Sequence, residues 1–495
     1  MRTIWRNVRH SLRSLLKKPG FTGITVVTLA VGIGANTAIF SVVDGVLLEA
    51  LPYPEPERLV SISHSAPGLD LPWLPSATGI HLIDREENRT FRELALFQTS
   101  AANLTGDGAP ERIRVGRATP SLFRVLQVDA ARGRTFTEEE GLPGEEKITV
   151  VSHRLWTDHF GSDPQIVGKT VRVDGEAHEI VGVMPEGFAF PTREVRLWTP
   201  IRIDPAQTFF GGFNHPAIGR LEEGVEVEDA RRDLARLLPR IPERFQGISQ
   251  EMLDNAGVAV NVRPYLDVVV GDVGTALWIL LGTVSFVLLI ACANVANLLL
   301  VRAESRQREV AIRTAMGADR GRLFGQFVAE SGLLAGAGAI LGLLLAHQGI
   351  RALLAFGPAN LPRIEQIDVD GTVLAFTAGI TVVAALVFGL IPVLRSRGPG
   401  TAAVLRDGYR GSTDGRSGHR ARKLLVVSQV AFALILLVGS GLMIRSFQRL
   451  QGVDPGFSSE SVLTFRVALP RADYPDVEST ASFHQRFLDR LEGLP

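Results

Sequence analysis

Charged and apolar positions in this chain separate over distances far longer than one helical turn or one strand. Five stretches contain no Asp, Glu, Lys or Arg: Pro19–Val43, Val273–Val301, Ser331–Ile350, Gly371–Leu394 and Leu424–Ile444, of 25, 29, 20, 24 and 21 residues. A helix rises ~1.5 Å per residue, so about 20 residues cross a ~30 Å hydrocarbon core. All five are predicted to span a membrane as helices. Ser331–Ile350 is rich in glycine, and the flank from Leu323 lengthens it past Glu330.

Between the first two spans the pattern changes period. "KITVVS" and "TVRVDGEAHEIVGVM" read as strands, and Asp174-Gly175 as a hairpin turn between alternating runs. "HRLWTDHF" and "EVEDARRDLARLLPRI" have helical spacing, the second with acids in its first turn. Short strands and helices alternate without a long regular βαβ series, so an α+β domain is expected. After the fifth span, "VLTFRVALP" reads as a strand and "ESTASFHQRFLDRLEGLP" as a helix. Basic segment, helix and α/β start repeat the opening plan, which suggests an internal duplication whose second copy is incomplete.

The fold class is therefore an α-helical polytopic membrane protein of four helices plus a fifth, with a large α+β domain between the first and second. The expected boundaries are a basic N-terminus at 1–20, spans at 21–47, 273–301, 323–356, 371–394 and 424–447, and the large domain at 48–272. A coupling segment falls at 302–322, a short loop at 357–370, a linker at 395–423 and the start of a second domain at 448–495. The linker, rich in Gly, Arg and Ser, is expected to be largely irregular.

Charge sets the orientation. The first 18 residues hold Arg2, Arg6, Arg9, Arg13, Lys17 and Lys18 and no acid. Arg302–Arg322 has six basic and three acidic residues and Arg395–Lys423 has eight and two, whereas Gly357–Asp370 has one and three. The positive-inside rule then places the N-terminus and both basic loops in the cytoplasm, and 46–272 and the tail outside. The first apolar run is longer than a signal-peptide core and no A-x-A-like site follows it, so it reads as a retained anchor.

Over 495 residues, Lys+Arg and Asp+Glu both number 52, so net charge identifies no partner, and no nucleic acid is expected. The single cysteine, Cys292, excludes an intramolecular disulfide and a cysteine metal cage, and its apolar surroundings read as packing. "VGKT" at Val167–Thr170 lacks the upstream glycine of a phosphate loop and reads as a strand start. His153 and His159, six residues apart beside Trp156, read as packing or surface groups. There is no H-E-x-x-H, G-x-S-x-G or Cys/His cluster, so no enzyme, cofactor or metal is expected.

Polar residues inside the spans are the candidate packing sites. Asn36, Thr37 and Ser41 interrupt the first span and Asp44 closes it, while Asn294 and Asn297 lie three apart on the second. Such groups usually hydrogen-bond a neighbouring helix, with a substrate path as the sharper alternative. Gly332 with Gly336, and Gly338 with Gly342, have the small-xxx-small spacing of close helix contact.

The stretch "AESRQREVAIRTAMGADRGRL" between the second and third spans is more than a topology signal. Val310, Ile312, Ala315 and Met316 are apolar among Arg306, Arg308, Glu309 and Arg313. Gly317 breaks the pattern and Asp319 can cap the next helix. A short amphipathic helix across the cytoplasmic face is expected, with its charges available to a partner.

"REVAIRTAMGA" resembles the R-E-I-G-I-R-x-A-x-G-A signature of the MacB/FtsX-like permeases of ABC transporters. "SLLKKPGFTGITVVTLAVGIGANTAIFSVVDGVLLEALPYPEPERLV", "GKTVRVDGEAHEIVGVMPEGFAFP" and "LIPVLRSRGPGTAAVLRDGYRG" resemble a duplicated MacB-like branch, the acidobacterial orphan permeases. The resemblance implies a bacterial inner-membrane permease subunit with two copies of a four-helix unit. In such proteins the segment matching Ser305–Gly317 docks on a separate cytoplasmic ATPase, whose closure passes through the helices to the outer domain. This is mechanotransmission, expected here in export or efflux. Arg306, Arg308, Glu309, Ile312, Arg313, Met316 and Gly317 would carry the docking. Membrane lipid, a periplasmic or outer-membrane partner, and a homodimer or pairing of the two repeats complete the implied partners. The alternative is an FtsX-like regulator of a wall hydrolase, or a ligand sensor. A membrane enzyme lacks a constellation to support it.

Overall fold

The first span shows why these runs become helices that need lipid or other helices around them. It has no polar face, so burial on all sides satisfies it, and its own backbone closes every hydrogen bond except at its ends. In the computed structural model it forms helix α1, Pro19–Val43, with proline at the first turn, where a missing N–H costs nothing. A π-helical turn, Asp44–Leu48, extends it. The structure describes residues 9, 11–105, 110–271, 273–305, 320–356, 363, 367–395, 416–452, 476–493, and singly 465, 467, 469 and 474.

The other long helices are α2 (Val273–Ser305), α3 (Arg320–Phe356), α4 (Gly371–Arg395) and α5 (Arg416–Gln451). Each of the five contains a stretch long and apolar enough to cross a membrane. Several helix ends lie beyond the expected spans, and α3 begins at Arg320 instead of 323. α2 runs to Ser305 instead of ending at 301. α5 begins at Arg416, so the last part of the linker expected to be irregular is helical; Arg and Lys are good helix formers and continue the span beyond its apolar part. Residues 396–415 lie outside the described residues, as does most of "VLTFRVALP". Phe465, Val467 and Leu469, which are described, are not in strand. The predicted terminal helix is present as Val477–Glu492, capped by Asp476 accepting from the Ser479 amide.

The chain divides into two compact units, residues 1–49 with 270–460, and 50–269 with 461–495. In the helical unit one apolar cluster holds Leu29 and Ile33 of α1, Val295 and Leu299 of α2, Leu334 of α3 and Phe388 of α4. Leu15 of the short N-terminal helix, residues 11–16, belongs to it too. α5 meets α2 where Phe286 and Phe432 lie 5.1 Å apart.

Among the described residues, the other unit is built on an eleven-stranded mixed sheet. Its strands are β1 (Leu59–Ala66), β2 (Leu71–Leu74), β3 (Phe91–Thr105), β4 (Glu111–Ala118), β5 (Arg132–Gly133) and β6 (Ile148–Val151). β7 (Thr170–Val173), β8 (Glu176–Val183), β9 (Val195–Pro200), β10 (Ala217–Leu221) and β11 (Ala259–Pro264) complete it. The main order is β11-β1-β10-β3-β4-β9-β6-β8-β5. Most pairs are antiparallel; β4 with β9 and β6 with β8 are parallel, the mixture expected of α+β rather than βαβ winding. The 15-residue β3 joins the two halves, pairing β10 through Leu96 and β4 from Phe97 onward. The predicted hairpin is β7–β8, and Asp174 and Gly175 both have positive φ, as its two-residue turn demands.

The first and last stretches of residues 50–269 share one apolar cluster. Leu51 and Tyr53 enter it from the first span, and Tyr265 and Leu266 leave it toward the second. The Tyr53 hydroxyl donates to the Ala189 carbonyl at 3.0 Å, and Tyr265 stacks on Phe190.

Candidate functional site

The residues that the sequence nominates fall at three levels of the helical unit. The proposed docking residues, Arg306, Arg308, Glu309, Ile312, Arg313, Met316 and Gly317, lie outside the described residues, with Asp319. The helices that lead into and out of them, α2 and α3, are described.

At mid-bundle, Asn36 is buried and ties α1 to α2. Its amide donates to the Gly32 carbonyl and to the Val284 carbonyl, both at 2.9 Å, and its Oδ1 accepts from the Ser285 hydroxyl at 3.1 Å. The next residue, Thr37, meets Thr377 of α4 at 3.0 Å, and one helical turn on from Asn36 the Phe40 and Phe376 rings stack at 3.9 Å. Two of the three hydrogen bonds of Asn36 thus reach a neighbouring helix. Asn294 is exposed; Asn297 is half-buried, and its buried Oδ1 has no hydrogen-bond partner among the described residues.

The four glycines of α3 nominated from the sequence divide by position. A Cβ on Gly338 would lie 2.8 Å from the Leu29 Cβ, and one on Gly342 would lie 3.0 Å from the Ala30 carbonyl oxygen and the Gly34 nitrogen. Gly332 and Gly336 have no described neighbour within 4 Å of such a Cβ. The close approach of α1 and α3 therefore uses one small-xxx-small pair of α3. Its partner on α1, Gly34, escaped the sequence reading because its role depends on which face of α1 turns toward α3.

At the end of the bundle nearest residues 306–319, Arg302 of α2 and Glu330 of α3 form a buried ion pair. Nη1 and Oε1 are 2.8 Å apart and each side chain is 6% exposed. The contact is ionic rather than an aligned hydrogen bond, since neither atom meets hydrogen-bond geometry. Arg302 Nη2 also donates to the Ser14 hydroxyl at 3.1 Å, and its guanidinium lies 4.7 Å from the Phe21 ring centre. Sequence reading missed this pair, although a lone acid beside an apolar run was a visible signal. At the opposite end, Arg363 donates to the Glu49 carbonyl at 2.6 Å and the Val46 carbonyl at 3.3 Å, gripping the π-helical extension of α1.

The sheet domain contains buried titratable groups whose shifts have local causes. Burial, with Asp233 nearby, pushes the Asp84 carboxyl up to about 8. Burial opposes ionisation of Asp233 too, but the Arg89 amide, Arg236 and Thr90 outweigh it and hold that carboxyl below its usual range. Burial, then Arg85 and His215, push His81 down to about 3. His153 packs edge-on against Trp156, and His159 lies 4.0 Å from Glu111, a carboxylate distant in sequence. Among the described residues no group of three or more His, Cys, Asp or Glu could hold a metal. At "VGKT", Gly168 has positive φ and Thr170 opens β7, a strand start.

Residues 22–237 match the MacB-like periplasmic core domain, and residues 282–399 match the FtsX-like permease C-terminal domain. The uncharacterized ABC transporter permease YknZ of Bacillus subtilis is 22% identical over 77% of this chain and 92% of its own length. The macrolide export ATP-binding/permease protein MacB of Burkholderia lata is 23% identical over 78% of this chain, but only 53% of its own length is covered. The pyoverdine export ATP-binding/permease protein PvdT of Pseudomonas aeruginosa is covered over 40% of its length at 24% identity. The crystal structure of the extracellular domain of YknZ overlaps 41% of this chain at 18% identity with a TM-score of 0.29, too loose to bear on the fold. Five candidate spans, an α+β domain between the first and second, and the two matched domains together identify a multi-pass membrane protein that belongs to the MacB/FtsX-like permease family of ABC transporters.

Proposed function

We propose that this chain is a permease subunit that couples a separate cytoplasmic ABC ATPase to its α+β domain by mechanotransmission, in export or efflux. The observation that carries this reading is the way α1, α2 and α3 are joined on both sides of the nominated docking segment. α2 and α3 flank residues 306–319 and are tied by Arg302 and Glu330, and both pack on α1 through Asn36 and Gly34/Gly342. α1 and α2 are also the two helices whose continuations bound the α+β domain. A push on the segment would then reach that domain through helices that move together. Relatives whose names join ATP binding to a permease, MacB and PvdT among them, support an ATPase as the source of the push. In this reading the basic ends lie in the cytoplasm, the α+β domain outside the inner membrane, and Arg306, Arg308, Glu309, Ile312, Arg313, Met316 and Gly317 form the docking surface.

An interface role makes a prediction that a topology role does not. Glu309→Arg strengthens the positive-inside bias, yet it should weaken docking, because a like charge facing a matched partner costs binding. Arg313→Glu tests the same surface with the opposite sign. The measurement is co-purification of an ABC ATPase with the full-length chain from membranes, followed by ATP-dependent export, with expression as control. Full docking by both variants would overturn the reading. Docking with a change in wall morphology and no export phenotype on deletion would favour the regulatory alternative, which uses the same coupling path.

A further inference from the structure

α2 ends the described residues at Ser305 and α3 begins them again at Arg320, so the nominated docking segment is, in sequence, an excursion of fourteen residues between two helices tied by Arg302 and Glu330. A displaced excursion moves its helices only if its base is closed. Apolar contacts, such as those of the cluster that holds Leu299 and Leu334, are non-directional and do not by themselves select one register. A buried ion pair behaves differently. It adds little net stability against an apolar substitute of equal volume, yet it favours one arrangement over its neighbours, because separating two opposite charges in a low-dielectric interior weakens a strong short-range attraction.

We propose that Arg302 and Glu330 are positioning residues: a buried ionic clamp that closes the base of the excursion and seats the N-terminal helix on it. The proposal rests on the coupling reading above. The geometry ties three elements at one point. Arg302 of α2 faces Glu330 of α3 at 2.8 Å, 28 positions away in sequence, and each is 6% exposed. The same guanidinium donates to Ser14 of the N-terminal helix and covers Phe21 at the start of α1. That helix is held independently where the Thr22 hydroxyl donates to the Leu15 carbonyl at 2.9 Å and where Leu15 enters the apolar cluster. A guanidinium can serve several directions at once because its donors form a planar fork, which an ammonium cannot reproduce. With the clamp closed, α2, α3 and the N-terminal helix respond to the excursion as one body.

The test uses the full-length chain in phosphatidylethanolamine–phosphatidylglycerol nanodiscs, in a Cys292→Ser background and without any ATPase. Nitroxides are attached at Val301 with Ala337, and at Leu16 with Val301, all exposed positions. Pulsed electron spin resonance reads the two distance distributions. The parent should give narrow distributions. Arg302→Gln and Glu330→Gln should each at least double the width of both. The reversed pair, Arg302→Glu with Glu330→Arg, should recover most of the Val301–Ala337 width, and less of the Leu16–Val301 width because the contact with Phe21 is lost. Single variants with parental widths, or a reversed pair as broad as the singles, would overturn the clamp. Where a single variant cannot be purified, the reversed pair decides alone: narrow supports the clamp, and broad or unpurifiable overturns it. With no ATPase in the sample, failure here leaves the docking experiment unaffected, and failed docking leaves these widths unchanged.

Discussion

Gly34 of α1 and Gly342 of α3 meet backbone to backbone: a Cβ on Gly34 would lie 2.8 Å from the Gly342 carbonyl oxygen and 3.1 Å from its Cα. Such contact has no side chain to yield, so any larger residue must push one helix away. Gly34→Val and Gly342→Val should each destabilise the bundle by about 1–3 kcal/mol, the usual cost of overpacking. Gly332→Ala and Gly336→Ala, which face no described neighbour, should stay close to parental stability. Unfolding by sodium dodecyl sulfate from mixed micelles measures all four. Equal loss across the set would show that the crossing is not where the helices are closest.

Asn36 should behave as an interhelical fastener. Asn36→Ala removes its hydrogen bonds to Val284 and Ser285, while Ser285 keeps the Leu281 carbonyl as acceptor. The loss should be modest, about 1 kcal/mol, in line with hydrogen bonds measured between helices in bilayers. Asn294→Ala, at an exposed position, should be near neutral in the same assay. A larger loss at Asn294 than at Asn36 would place the important polar contact on another face of α2.

How much of the architecture was legible in sequence depends on how local each signal is. The five spans were readable because a run of about 20 uncharged residues has few other physical explanations. The Asp174-Gly175 hairpin was readable because its two-residue turn needs positive φ, and the structure has it there. The mixed sheet order was not readable, since nothing local says that β3 should serve β10 with one half and β4 with the other. Asn36 was visible as a polar residue in an apolar run, but its partner was not, because the acceptor is a backbone carbonyl 248 positions away. Glu330 was visible and passed over: its ion pair needs the register of α2 against α3, which no periodicity within either helix contains.

Acid and base should weaken the α+β domain through different groups. Burial pushes His64 down to about 4, partly opposed by the Pro75 carbonyl, and pushes His81 down to about 3. Their folded values lie below the unfolded 6.5, so their contribution is complete above pH 6.5 and declines as pH falls toward 4. The slope is about 1.4 kcal/mol per pH unit for each histidine. Asp84 has the opposite sign. Its folded value, about 8, exceeds its unfolded 3.8, so its contribution is complete below pH 4 and declines as pH rises toward 8. From pH 4 to 6.5 His64 and His81 outweigh Asp84, and His178 and His215, which burial also holds below the usual imidazole range, act in the same direction; above 6.5 Asp84 alone of these groups still titrates. Urea unfolding of the full chain, followed by the fluorescence of Trp156 and Trp198, should show greatest stability near pH 6.5. Asp84→Asn should flatten the alkaline side, and His81→Gln the acid side. A curve rising steadily from pH 4 to 8, unchanged by Asp84→Asn, would rule out the assigned burial of that carboxyl.

Orientation gives the most direct test of the membrane reading. The charge bias predicts that Ser305, at the end of α2, and Ser162, in the α+β domain, face opposite sides of the membrane. Ser162 is exposed and lies in a turn with φ of 60°, outside every strand, so a cysteine there leaves the sheet intact. In a Cys292→Ser background, single cysteines at the two positions are treated with a membrane-impermeant maleimide on intact spheroplasts, then on opened membranes. Ser162→Cys should label in intact spheroplasts. Ser305→Cys should label only after opening, because the apolar stretch of α2 lies between it and the domain. The reverse order would invert the topology and put the basic segments outside, out of reach of any cytoplasmic ATPase. Labelling of both positions in intact spheroplasts would mean that α2 does not cross at all, and the coupling path from residues 306–319 to the α+β domain would fall with it.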